Sequence, residues 1–98
     1  MTITNALPAD VVLYKTTPVF DEHTIPAGLL KNHNTKEGVW GRIVVVEGAL
    51  LYTLCETGDT VVLDNDHPGI ALPKQLHQVA PQGAVKFFVE FYRKPGSE

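Results

Sequence analysis

The 98 residues contain one cysteine, one tryptophan, one methionine and a single serine, Ser97. With its only serine in the tail, the chain has no Gly-x-Ser-x-Gly nucleophile elbow. Cys55 cannot close an intrachain disulfide, so the scaffold of a secreted mini-protein is absent and a cytoplasmic location is expected. Cys55 ends the apolar run that starts at Ala49, and it is expected to be a buried structural thiol rather than a nucleophile. No apolar run approaches the roughly 20 residues that span a bilayer. The N-terminal Met-Thr-Ile-Thr-Asn lacks the basic-then-apolar pattern of a signal peptide, so no membrane partner is expected. Eight Lys and Arg face eleven Asp and Glu, for a net charge of −3. The basic residues form no stripe, which argues against nucleic acid. There is no phosphate loop and no Gly-x-Gly-x-x-Gly turn.

No stretch of a dozen residues carries a helical period. Short β-branched and aromatic runs are instead cut by Gly, Pro, Asn and Asp. Strands are expected at 11–15, 28–32, 40–47, 49–55, 60–64, 70–73, 77–80 and 85–93, with tight turns at Gly48 and at Pro81-Gln82-Gly83. The length suits one domain over residues 1–98, with frayed tails at 1–8 and 94–98. Such a chain hides only roughly 60–70% of its unfolded surface, so the core is thin. Eight or nine short strands suggest a sandwich or barrel. Several strands are apolar on both faces, Ile43 and Val45 alternating with Val44 and Val46. A barrel interior would fill one face, and a second copy of the chain, in a homodimer, is expected to cover the other.

Three strings resemble a known family. Gly69-Ile-Ala-Leu-Pro73-Lys-Gln-Leu-His77 is similar to the second cupin motif. Gly41-Arg42-Ile43-Val44-Val45-Val46-Glu47-Gly48 looks like the end of the first, without its usual His-x-His pair and glutamate. His33-Asn34-Thr35-Lys36-Glu37-Gly38-Val39-Trp40-Gly41 resembles the hallmark of the tellurite-resistance-associated TehB/YeaR-like cupin domains. The likeness extends to Thr17-Pro18, Ile25-Pro26, His77-x-Val79 and Phe91-Tyr92, covering about Leu13 to Tyr92. It implies an all-β cupin-like jelly-roll barrel (a double-stranded β-helix). In some members the domain precedes an S-adenosylmethionine-dependent methyltransferase. This chain is too short for a doubly wound methyltransferase domain and is not expected to methylate by itself.

The resemblance also implies a divalent metal, held by His33 and His77. Imidazole with carboxylate suits zinc, iron, nickel or manganese. Glu90 is the third candidate ligand, because a carboxylate in the apolar strand Phe87–Tyr92 is costly unless paired or metal-bound; an ion pair with Arg42 is its alternative. Arg42, beside Trp40, is expected to orient a small anionic ligand by a forked hydrogen-bond pair, although either residue also suits a structural role. His23 and His67 read as loop and turn residues. The expected function is a small metal-binding, cupin-like protein that binds a small-molecule or oxyanion ligand, in tellurite resistance or stress response. The alternatives are a metal-dependent dioxygenase or isomerase acting on a small acid or oxyanion, and a metal-free ligand-sensing or partner-binding module.

Overall fold

The structure, a computed structural model, describes residues 7–30 and 37–95. The described strands are β1 (Val12–Thr16), β2 (Phe20–Asp21), β3 (Val39–Leu54), β4 (Thr60–Leu63), β5 (Gly69–Ala71) and β6 (His77–Arg93), with one 3-10 turn at Ala27–Leu30. β3 and β6 dominate. They pair antiparallel along their whole lengths, from Val39 opposite Arg93 to Leu54 opposite His77. β5 and β4 line the free side of β3, while β1 and β2 line the free side of β6.

Both long strands bend in the middle. The β3–β6 register slips between Val45 and Glu47 and again between Gly48 and Leu50. A bulge adds unpaired residues to one strand and bends it. Gly48 and Gly83 supply the left-handed backbone there, at φ 80° and 79°, which other residues adopt only at a cost. The five-residue step from Val45 to Leu50 changes the inward parity of β3. Ile43 and Val45 face in before the bend, and Leu50, Tyr52 and Leu54 face in after it. The bend lays one half of the sheet over the other. Ile43, Val45, Val85, Phe87 and Val89 then meet Leu50, Tyr52, Leu54, Leu63 and Val79 in one buried cluster. Burying each large apolar side chain contributes roughly 1.5–3 kcal/mol, so this cluster is the main favourable term.

Several expectations are corrected here. The cupin-like jelly-roll barrel does not form. The sheet runs β1-β6-β3-β4 and stays open, its outer strands unjoined among the described residues. The physical reason lies at the two bends. Gly48 and Pro81-Gln82-Gly83, read as chain reversals, are corners inside continuous strands, so pairs of expected short strands merge into β3 and β6. The expected strand at 28–32 begins instead as the 3-10 turn, closed by the Leu29 amide on the Pro26 carbonyl at 2.9 Å. No helix among the described residues is long and apolar enough to cross a membrane.

The corner makes a prediction. A Cβ on Gly48 would land on the Ala84 carbonyl oxygen and against Val85 Cα, whereas one on Gly83 would meet nothing within 4 Å. Gly83→Ala should therefore cost only the left-handed backbone penalty, about 1–2 kcal/mol. Gly48→Ala should cost clearly more, about 3 kcal/mol or above. Urea unfolding of the two variants measures the difference, and equal losses would show that the close approach to Ala84 does not matter.

Candidate functional site

The hollow of the molecule lies at one end of the inner face. Register places Phe91, Gly41 and Ala71 side by side across β6, β3 and β5. Gly41 has no side chain between those neighbours, and a cavity of about 20 Å³ remains beneath, lined by Ile43, His77, Phe87 and Val89 among others. That is room for about one water molecule. His77 is its one polar side chain among the described residues, and it is buried. Its Nδ1 lies 2.9 Å from the Gln75 carbonyl oxygen. A carbonyl can only accept, so Nδ1 carries the proton and the ring is fixed in orientation. The Tyr52 ring lies 5.6 Å away, centroid to centroid. Burial pushes the Tyr52 phenol up to about 12, with a smaller contribution from Cys55, and its hydroxyl donates to the Ile70 carbonyl oxygen at 3.3 Å.

A wider groove of about 290 Å³ opens next to the cavity, over β1 and the 3-10 turn. The two hollows share Leu29, Val89 and Phe91. Phe20 walls the groove and meets Phe87 edge-on at 5.7 Å. The Thr17 hydroxyl oxygen accepts the Val89 amide at 2.9 Å, pinning the groove's rim to β6.

The other expected site residues lie elsewhere. Arg42 and Glu90 are cross-strand neighbours on the outer face. Arg42 Nη1 is 3.7 Å from Glu90 Oε1, and the Tyr92 hydroxyl donates to the same oxygen at 2.9 Å. Burial, then the bond to Glu90, raises the Tyr92 phenol above its ordinary value. Trp40 sits opposite Tyr92 in the register. The structure thus brings Arg42, Glu90 and Trp40 together and separates them from His77. Glu90 and His77 share β6 but face opposite sides, because the inward residues of that strand are 77, 79, 85, 87 and 89 and strand alternation turns residue 90 outward. His33 lies outside the described residues. Among the described residues, no group of three or more His, Cys, Asp or Glu side chains is placed to hold a metal ion. Cys55 is half-buried, with Sγ 3.8 Å from Gln78 Oε1. The residues that sequence reading missed are Lys15, Phe20, Leu29 and Phe91. Alternation could have paired Phe91 with Val89, but Lys15 joins them only through a register some 75 positions distant.

The bent antiparallel sheet with a small hollow at one end makes this an all-β domain among the described residues. The chain belongs to the TehB-like domain family, whose pattern matches residues 15–89. Over 75 residues it is 32% identical to the "Probable S-adenosyl-L-methionine-dependent methyltransferase TehB" of two Haemophilus influenzae strains, covering 71% of this chain and 26% of each relative. The chain thus spans 26% of the length of the curated relatives it matches. The crystal structure of TehB from Haemophilus influenzae superposes with a TM-score of 0.79 at 28% identity, over 88% of this chain and 32% of that one. A crystal structure of an Escherichia coli K12 protein gives a TM-score of 0.84 at 21% identity, over 92% and 97% of the two chains; at that identity the likeness is one of fold.

These relatives overturn the functional expectations. They are named for S-adenosylmethionine-dependent methyl transfer. That displaces the metal-binding cupin reading, its dioxygenase, isomerase and ligand-sensor alternatives, and a divalent metal (zinc, iron, nickel or manganese) as cofactor.

His67 provides a test of the local electrostatics. Its Nδ1 lies 2.8 Å from Asp64 Oδ1. The hydrogen bond to Asp64, and then that residue's charge, raises His67 above its ordinary 6.5. The bond to His67 first, and the Asp66 amide next, hold Asp64 below its ordinary 3.8. The raised histidine stabilises the turn fully below 6.5 and loses that effect as pH climbs through its folded value. The lowered carboxylate contributes above 3.8 and loses its effect as pH falls through its own. An NMR titration should place the His67 midpoint above 6.5, and Asp64→Asn should bring it back down. A midpoint indifferent to that substitution would refute the pairing.

Proposed function

We propose that this chain is the acceptor-holding sheet domain of a TehB-type methyl-transfer system, working in the cytoplasm. The observation that carries the reading is the hollow at the open end of the sheet, in a chain matching 26% of the length of a methyltransferase. S-adenosylmethionine itself does not fit the residues present. Its binding in doubly wound folds uses a glycine-rich turn between a parallel strand and a helix, and the strand pairs described here are antiparallel. The enclosed cavity is about 20 Å³, and among the described residues neither hollow is lined by an acidic side chain that could bond a ribose. No step through the donor is therefore assigned to this chain. Its own residues bind and orient a small molecule: the apolar walls of the two hollows exclude water and shape the space beside β6.

The test is a domain exchange in the Haemophilus influenzae relative. Deleting the matching segment should lower kcat/KM for the acceptor while leaving the affinity for S-adenosylmethionine unchanged, and grafting in the present chain should restore the rate. Calorimetry of the isolated chain with S-adenosylmethionine should show no binding. Donor binding by this chain, or a donor affinity that follows the graft, would overturn the reading.

A second copy of the chain is the proposed cover of the outer face. The support is Val46, 52% exposed, continuing the row of Val44 and Phe88 on that side. Light scattering at micromolar concentration should give twice the mass of one chain, and Val46→Lys should return the monomer. A monomeric wild-type protein under those conditions would remove the proposal.

A further inference from the structure

The groove beside the 3-10 turn has a chemistry of its own. Lys15 sits directly opposite Phe91 in the β1–β6 register, so the two share one face of the sheet. That row continues through Gly41 to Ala71, which places an ammonium at one end and the enclosed cavity at the other. Arg42 is matched by Glu90 and Lys94 by Asp10. Lys15 forms no ion pair among the described residues. The walls between are Phe20, Pro26, Leu29 and Phe91, and Gly28 leaves one side open.

We infer that the groove and the cavity behind Leu29 form one site for a small molecule with an apolar body and a single carboxylate end, a short aliphatic or aromatic acid. The body lies against Phe20 and Phe91. The carboxylate meets the Lys15 ammonium at the solvent edge, where both charges stay partly hydrated. Leu29 stands between the compartments, and its turn is held to β6 by side-chain packing. The 20 Å³ cavity beyond it accepts no more than a terminal methyl. The groove's volume of about 290 Å³ lies at the small end of ligand pockets and excludes a nucleotide. One lysine is too little charge for a polyphosphate, and the lining has no acidic side chain among the described residues for a cationic ligand. This inference rests on the acceptor-holding reading and names the class of molecule held.

The probes are benzoate, benzyl alcohol and benzylamine, which share a ring and differ in charge. Titrated into the ¹⁵N-labelled chain, benzoate should shift the amides of Thr17, Phe20, Gly28, Leu29 and Phe91 and saturate. Benzyl alcohol should shift the same set more weakly, and benzylamine should not. Lys15→Met should weaken benzoate about three- to fivefold, the range of a solvent-exposed charge pair, and leave benzyl alcohol unaltered. Gly28→Leu adds a side chain where a Cβ meets nothing within 4 Å; it should block both ligands without a change in urea midpoint. Equal binding of benzylamine, an unchanged benzoate affinity in Lys15→Met, or shifts centred outside the groove would each overturn the assignment. If benzoate fails while the domain graft still restores methyl transfer, the ligand class falls and the acceptor-holding role stands. If benzoate binds as described and the graft does nothing, the site stands and the role falls.

Discussion

The pairing of β3 with β6 is the constraint on which the other features depend. Each strand is long enough to belong to both halves of the sheet, and the ladder continues across the bend from Val45 opposite Phe87 to Leu50 opposite Pro81. Among the described residues the short strands form ladder pairs only with these two. β1 and β2 hang on β6, and β4 and β5 hang on β3. The core forms because the bend stacks the two halves, and the hollow exists because the stacking ends at a row containing Gly41. Backbone hydrogen bonds set this geometry, and apolar burial stabilises it.

Much of the strand content was legible in the sequence. The Ile-Val-Val-Val run and the Phe-Phe-Val-Glu-Phe-Tyr run marked the long strands, and the glycines marked the places where the backbone turns. Their meaning was not legible. A glycine with positive φ serves equally in a hairpin and in a bulge, and the choice at Gly48 depends on whether residues beyond it rejoin the same partner strand. That is a long-range property. The same ambiguity hid the burial pattern. Val44 and Val46 look like a second core face until the inward placement of Ile43 and Val45 assigns them to the outside.

The site was less legible than the fold. A histidine on the inner face after a proline could be read from the string ending in His77, and the structure buries it in the hollow. Glu90 was read as a third metal ligand with an ion pair to Arg42 as the alternative, and the structure sets its Oε1 against Arg42 and the Tyr92 hydroxyl. What could not be read was that His77 and Glu90 fall on opposite faces of one strand. Their separation of thirteen residues crosses a corner, and simple alternation cannot be carried across a corner of unknown length. Lys15 and Phe20 were invisible as site residues for the opposite reason: nothing local distinguishes them, and only the ladder sets Lys15 opposite Phe91 and Phe20 opposite Phe87.

The odd-numbered step between Val45 and Leu50 has a consequence for how the segment can vary over time. Replacing Val46, Glu47 or Ala49 alters local contacts only, whereas Gly48 is held by its positive φ and by the close approach of Ala84. Adding or losing a residue within 46–49 would invert every side chain on the far arm of β3, sending Tyr52 and Leu54 to water and Leu51 and Thr53 inward. Descent should therefore permit exchanges of letter on either side of Gly48 while holding that glycine and the length of the stretch fixed, with tolerance for gaps confined to the loops outside the ladder.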